Sequence, residues 1–168
     1  MEVANLGERI RGFARRMGLA FLAVLGLAGV ARPTFPVVLV TAATGAVAVA
    51  VVCCHPGGRG LRQTIRGVVV GRGAGVIQHY SDKDGSLRVA MQQGLASGLG
   101  GPQLVALLLG SDAFREYRQV AIADVVHAPG SATGVQVAGA RPAVTGSVGT
   151  LRYALQGNAL AGDRVAMV

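Results

Sequence analysis

The longest unbroken apolar pattern runs from Val37 to Cys54, eighteen residues with no charge and no polar face. A helix of about that length spans the hydrocarbon core of a bilayer, and a soluble amphipathic helix would show a polar stripe. Met17–Ala31 is a second apolar run, extended by Phe13 and Ala14 and by arginine stems that can snorkel. Between the runs, Arg32-Pro33-Thr34-Phe35-Pro36 carries two prolines in five residues, which enforces a turn. The pattern predicts a membrane α-helical hairpin over 17–54. Small residues recur along both runs: Gly18, Gly26 and Gly29 in the first, Thr41, Ala42, Gly45, Ala46 and Ala50 in the second. Such faces suit close helix packing. A cleaved signal or a targeting segment is the rival reading of the first run.

After His55 the pattern changes. Residues 55–63 read as a Gly- and Pro-containing linker. Short apolar runs then alternate with Gly, Ser and Asp, which predicts a small β-rich α+β domain over 64–168. Strands are expected at Thr64–Val70, Val76–Tyr80 and Leu87–Gln92, the last two joined by a hairpin turn at 81–86. Gln103–Leu109 predicts a buried helix. A second helix, capped by Ser111 or Asp112, is expected through Val126, with a strand over Gln119–Val126 as the alternative. Gly134–Ala138, Val144–Val148, Thr150–Gln156 and Arg164–Val168 complete the expected strands.

Charge changes the picture because it is local. The formal net charge is +8, yet nine arginines against Glu2 and Glu8 lie before residue 73, and seven bases face six acids after it. Arg9, Arg11, Arg15, Arg16, Arg59, Arg62, Arg66 and Arg72 border the apolar runs, and Arg32 alone lies between them. By the positive-inside rule this gives an integral membrane protein with both termini cytoplasmic and the arginines on anionic headgroups. Residues 1–16 form a basic N-terminal segment on this reading.

Candidate chemistry adds little. Cys53 and Cys54 are too few for a disulfide scaffold or a four-thiolate zinc site, and their juxtamembrane setting makes them acylation candidates. Gly71-Arg72-Gly73-Ala74-Gly75 lacks the sixth-position glycine of a dinucleotide loop. Asp82-Lys83-Asp84-Gly85 lacks the final glutamate of a calcium loop. Asp124 and His127 are spaced to pair, but no G-x-S-x-G nucleophile setting accompanies them. No catalytic residue, cofactor or metal site is assigned. The expected function is a non-catalytic, membrane-anchored scaffold or assembly subunit of a cellular or viral complex, with protein partners or self-association. The alternatives are a pore-forming or transport oligomer built on the small-residue helices, and a membrane-tethered hydrolase using His127 and Asp124. Sequence-independent nucleic-acid contact through the arginines is the weakest partner reading.

Overall fold

The structure is a computed structural model that describes residues 33–54, 66–80 and 82–166. All of these belong to the second of two compact units, Arg32–Val168. The apolar run of 37–54 is not a helix. It forms strands β1 (Thr34–Thr41) and β2 (Val47–Cys53), paired antiparallel from Thr34↔Cys53 to Val40↔Val47. Gly45, at φ 68°, allows the tight reversal, and its N–H donates to the Thr41 carbonyl at 2.9 Å. Val47-Ala48-Val49-Ala50-Val51 alternates with period two, which is the strand repeat. Branched residues on both faces erased the polar stripe that separates a half-exposed strand from a spanning helix.

The membrane hairpin is therefore corrected. Its second span is a β-hairpin, and among the described residues no helix is long and apolar enough to cross a membrane. Integral membrane location with cytoplasmic termini loses its basis with it. Thr41, Ala42, Gly45, Ala46 and Ala50 belong to strands and their turn, and pack no helix. The expected first span, with Gly18, Gly26 and Gly29, and the arginines Arg9, Arg11, Arg15, Arg16, Arg59 and Arg62, lie outside the described residues.

Among the described residues, eight strands and two α-helices build the domain. After β2 come β3 (Arg66–Val69), β4 (Gly73–His79), α1 (Ser86–Ala96), α2 (Gly101–Gly110), β5 (Arg118–Asp124), β6 (Gly130–Thr133), β7 (Ala143–Val148) and β8 (Leu151–Gln156). One antiparallel sheet has the order β2-β1-β8-β7 and the other β3-β4-β5-β6. The fold is β-rich α+β, a layered arrangement of sheet, sheet and helices.

Alternation along the strands assigns the faces. Val38, Val40 and Ala154 of the first sheet meet Ala74, Val76, Ala121 and Ala123 of the second in one buried layer. On the other side of the second sheet, Ile77, Val120 and Ile122 pack against Met91, Leu95, Leu104 and Leu108 of the helices. Small residues set that distance. A Cβ on Gly75 would lie 2.7 Å from the Met91 sulfur.

Two further expectations change. Leu87–Gln92 is not a strand but part of α1. The Asp84 carboxylate accepts from Ser86 N–H at 3.1 Å, and Asp82 accepts from Leu87 and Arg88 N–H at 3.3 and 2.9 Å. These bonds satisfy the free amides of a helix start. Buried Met91 and Leu95 stand four apart, the helical spacing. Over 111–126, the strand alternative forms, as β5. Of the C-terminal elements, Gly134–Ala138 is not a strand, and Asp163–Ala166 is a 3₁₀ turn.

Candidate functional site

Residues that fold alone would not require mark two places. The first is one end of the layer between the sheets. By strand register, Thr34, Cys53, Gln78, Gln119 and Gln156 continue the inward rows, yet they are polar where the rest of the layer is aliphatic. Gln119 is saturated. Its Oε1 accepts from Gln78 Nε2 at 2.7 Å and from Asn158 Nδ2 at 3.1 Å, and its Nε2 donates to Gly157 O at 2.9 Å and Thr133 Oγ1 at 3.2 Å. Gln156 Nε2 donates to Val120 O at 2.7 Å. Gln78 Oε1 and Gln156 Oε1 are buried with no partner among the described residues. Thr34 Oγ1 lies 3.2 Å from Cys53 Sγ, and Thr34 exchanges backbone hydrogen bonds with Asn158. Among the described residues this end carries no charged group. It is a lock that ties the loop after β8 to the start of β1 and to the second sheet.

The second place is a cleft of about 500 Å³ where the loop leaving β4 meets the loop entering β5. Strand pairing creates it, because His79 at the end of β4 faces Arg118 at the start of β5. Arg118 is buried, and its Nε donates to Asp112 Oδ2 at 2.7 Å, with both side chains 6% exposed. Its Nη1 donates to the Tyr80 carbonyl, and its guanidinium carbon stands 5.2 Å from the Tyr80 ring centroid. Tyr80 stacks on Phe114 with centroids 4.6 Å apart and planes at 19°, and Tyr117 tilts against Tyr80 at 6.3 Å. His79 braces the rim. It has φ 76°, its Nε2 accepts from Ala138 N–H at 3.1 Å, and a neutral ring then carries its proton on Nδ1, 2.8 Å from the Tyr117 carbonyl. At the mouth the Asp84 carboxyl is held below its ordinary 3.8 by the Ser86 backbone N–H first and the Ser86 hydroxyl second.

The residues singled out from sequence fall as follows. Asp124 and His127 do meet, at 3.0 Å. Asp124 also accepts from Val126, His127 and Gly101 N–H at 2.8, 2.7 and 3.1 Å, so its oxygens close a turn and cap α2. Cys53 ends a strand and Cys54 follows it; with the spanning helix gone, neither has the juxtamembrane setting that made it an acylation candidate. Arg66 opens β3 and Arg72 sits in the β3–β4 turn, both exposed. Among the described residues no group of three His, Cys, Asp or Glu side chains could hold a metal ion. The cleft itself escaped the sequence. Its one legible signal was Tyr80, Phe114 and Tyr117, three of the chain's seven aromatic residues, the first at the end of an expected strand and the other two on one face of the expected second helix.

Comparison with known proteins gives the same fold. The crystal structure of protein SPO2555 from Silicibacter pomeroyi, described under the same family model as this chain, superposes with a TM-score of 0.63 at 21% identity. The match covers 79% of this chain and 57% of that one, so this chain spans little more than half of the solved protein. No curated protein matches. A family model described as "Family of unknown function (DUF1028)" matches residues 34–168, from the first residue of β1 onward, and the chain belongs to that family.

Proposed function

We propose that this domain is a non-catalytic assembly module that pairs with a second copy of itself through the outer edge of β2, which no other strand among the described residues pairs. One observation carries the reading: β2 is a seven-residue edge strand, Val-Ala-Val-Ala-Val-Val-Cys, with no charge, no proline and no glycine. Edge strands present unpaired N–H and C=O groups, and proteins ordinarily blunt them with lysine, proline, bulges or short length. The other edges are blunted in this way. β3 and β6 are four residues long, and β7 carries Thr145, Gly146 and Ser147.

The strand is also self-complementary. A two-fold axis through Ala50 sets Ala48 against Val52 and Val47 against Cys53, all small or branched. The inward residues Val47, Val49 and Val51 are only half-buried at the sheet edge. Antiparallel pairing would run the aliphatic layer on into the second copy and would satisfy the outward backbone groups of both strands.

Sedimentation velocity over a concentration series tests this. A monomer–dimer equilibrium is expected, with Ala50→Lys shifting it to monomer, since like charges directly opposite in a ladder repel. Ala50 is exposed, so the substitution leaves the monomer folded. A monomer at every concentration, or a dimer indifferent to Ala50→Lys, removes the proposal.

A further inference from the structure

We infer that the cleft between Tyr80, Phe114 and the Asp82–Asp84 loop binds a small organic cation. Five observations converge on it. Its volume of about 500 Å³ lies within the range of small-molecule sites. The rings that line it, Tyr80 at 36% and Phe114 at 46% accessible, and Tyr117 beside Tyr80 at 44%, are exposed where packing would normally bury them. Three of seven aromatic residues gather here, although the core of the domain is aliphatic and could have used them.

The rings are also poised for positive charge. Arg118 already lies over the Tyr80 face, and the stacked pair leaves Phe114 open to solvent for a second cation. The ring quadrupole attracts a cation at about 0.5–2 kcal/mol, more as water is excluded.

The carboxylates select the sign. Asp82, Asp84 and Asp112 line the cleft against Lys83 and Arg118. Asp112 and Arg118 cancel one another in their buried pair. The Asp82 oxygens are spent on α1 amides, and Lys83 is exposed on a long free stem. Asp84 is the carboxylate left at the mouth, fixed by Ser86 and ionised at neutral pH. A phosphate or a nucleic-acid strand would meet these acids at close range, so the basic pI of the chain does not extend to this cleft.

The chain has no Trp, and Tyr80 and Tyr117 are two of its three Tyr, so intrinsic tyrosine fluorescence reports on this place. The experiment titrates the full chain with tetramethylammonium, tert-butanol and pivalate. These probes share a compact tetrahedral centre bearing at least three methyl groups, absorb nothing at the exciting wavelength, and carry positive, zero and negative charge. Saturable change with tetramethylammonium at millimolar concentration is expected, at least five-fold tighter than with tert-butanol, and none with pivalate. Phe114→Leu and Asp84→Asn should each weaken the tetramethylammonium response at least three-fold while circular dichroism and the thermal midpoint stay those of a folded chain. Equal binding of the three probes, preference for pivalate, or full binding by both folded variants overturns the inference.

Discussion

Asp112→Asn offers the sharpest test of what holds the cleft together. The substitution preserves shape and keeps an oxygen to accept from Phe114 N–H, which the native Oδ1 does at 3.0 Å. What it removes is the negative charge beside a buried guanidinium whose Nε lies 2.7 Å from the carboxylate. With charge centres about 4 Å apart and an effective dielectric near 20, the lost attraction is about 4 kcal/mol. With Oδ1 kept on Phe114 N–H, the Asn Nδ2 faces the Arg118 Nε–H donor against donor, so the cost stays at about 4 kcal/mol, within the range for breaking one partner of a buried pair. For a domain of this size that lowers the thermal midpoint by about 10 °C. Urea unfolding followed by circular dichroism measures it. Because the pair is shielded from solvent, the loss should persist in 1 M salt, where an exposed pair would be screened. The double variant Asp112→Asn with Arg118→Met should recover more than 1 kcal/mol relative to the sum of the singles, since no unpaired charge is left buried. A cost below about 1 kcal/mol for Asp112→Asn, or strictly additive singles, would refute the assignment of Arg118–Asp112 as the charged strut of the cleft.

Two glycines of opposite setting provide a second check. A Cβ on Gly73 would stand 2.5 Å from the Ala123 carbonyl oxygen and 2.9 Å from Asp124 Cα, both backbone, so Gly73→Ala should destabilise by about 2 kcal/mol or more. Gly110→Ala meets nothing within 4 Å at the end of α2 and should be neutral or stabilise by up to about 1 kcal/mol; both are read from urea midpoints. Asp84 supplies the pH test. Its carboxyl is lowered in the folded chain by Ser86, so its cap on α1 is in place above the ordinary value of 3.8 and is lost as pH falls through the lower folded value. Carbon-detected NMR should place the Asp84 titration below 3.8, and Ser86→Ala, which keeps the backbone N–H and removes the hydroxyl, should raise it part of the way; an unchanged midpoint in Ser86→Ala would remove the hydroxyl's share of the lowering.

The β1–β2 hairpin shows where apolar patterning stops being informative. Continuous hydrophobicity over a length that spans a bilayer is shared by a membrane helix and by two strands joined by a short turn. Signals that separate them were present: the Val-Ala alternation of 47–51, the branched residues throughout, and Gly45 at the reversal. Each is weak alone, because alanine, valine and glycine are common in this chain. The α1 helix failed for a related reason. Leu87, Met91 and Leu95 keep helical spacing, but Val89 and the Asp-Lys-Asp-Gly turn before them read equally as a strand entered from a hairpin. What decided the matter was Asp82 and Asp84 reaching helix amides, a geometric fact rather than a compositional one. Where turn residues and periodicity agreed, as at Gln103–Leu109, Val144–Val148 and Thr150–Gln156, the expected elements formed with shifts of one or two residues at their ends.

The cleft was beyond the reach of any local pattern. Tyr80 and Arg118 are 38 residues apart and become neighbours only because β4 and β5 pair with His79 opposite Arg118. That pairing in turn needs α1 and α2 to leave the sheet and return on one face, which the sequence reading denied by making Leu87–Gln92 a strand. One wrong element thus hid the site. With 87–92 extended, Asp82 and Asp84 sit in a solvated hairpin turn; with it helical, the same two carboxylates become caps that hold the loop against Phe114 and Arg118. The acidic turn noticed in the sequence was therefore the right residues in the wrong local structure. Its function, on the present inference, follows from the helix it starts rather than from the calcium-loop spacing it lacks.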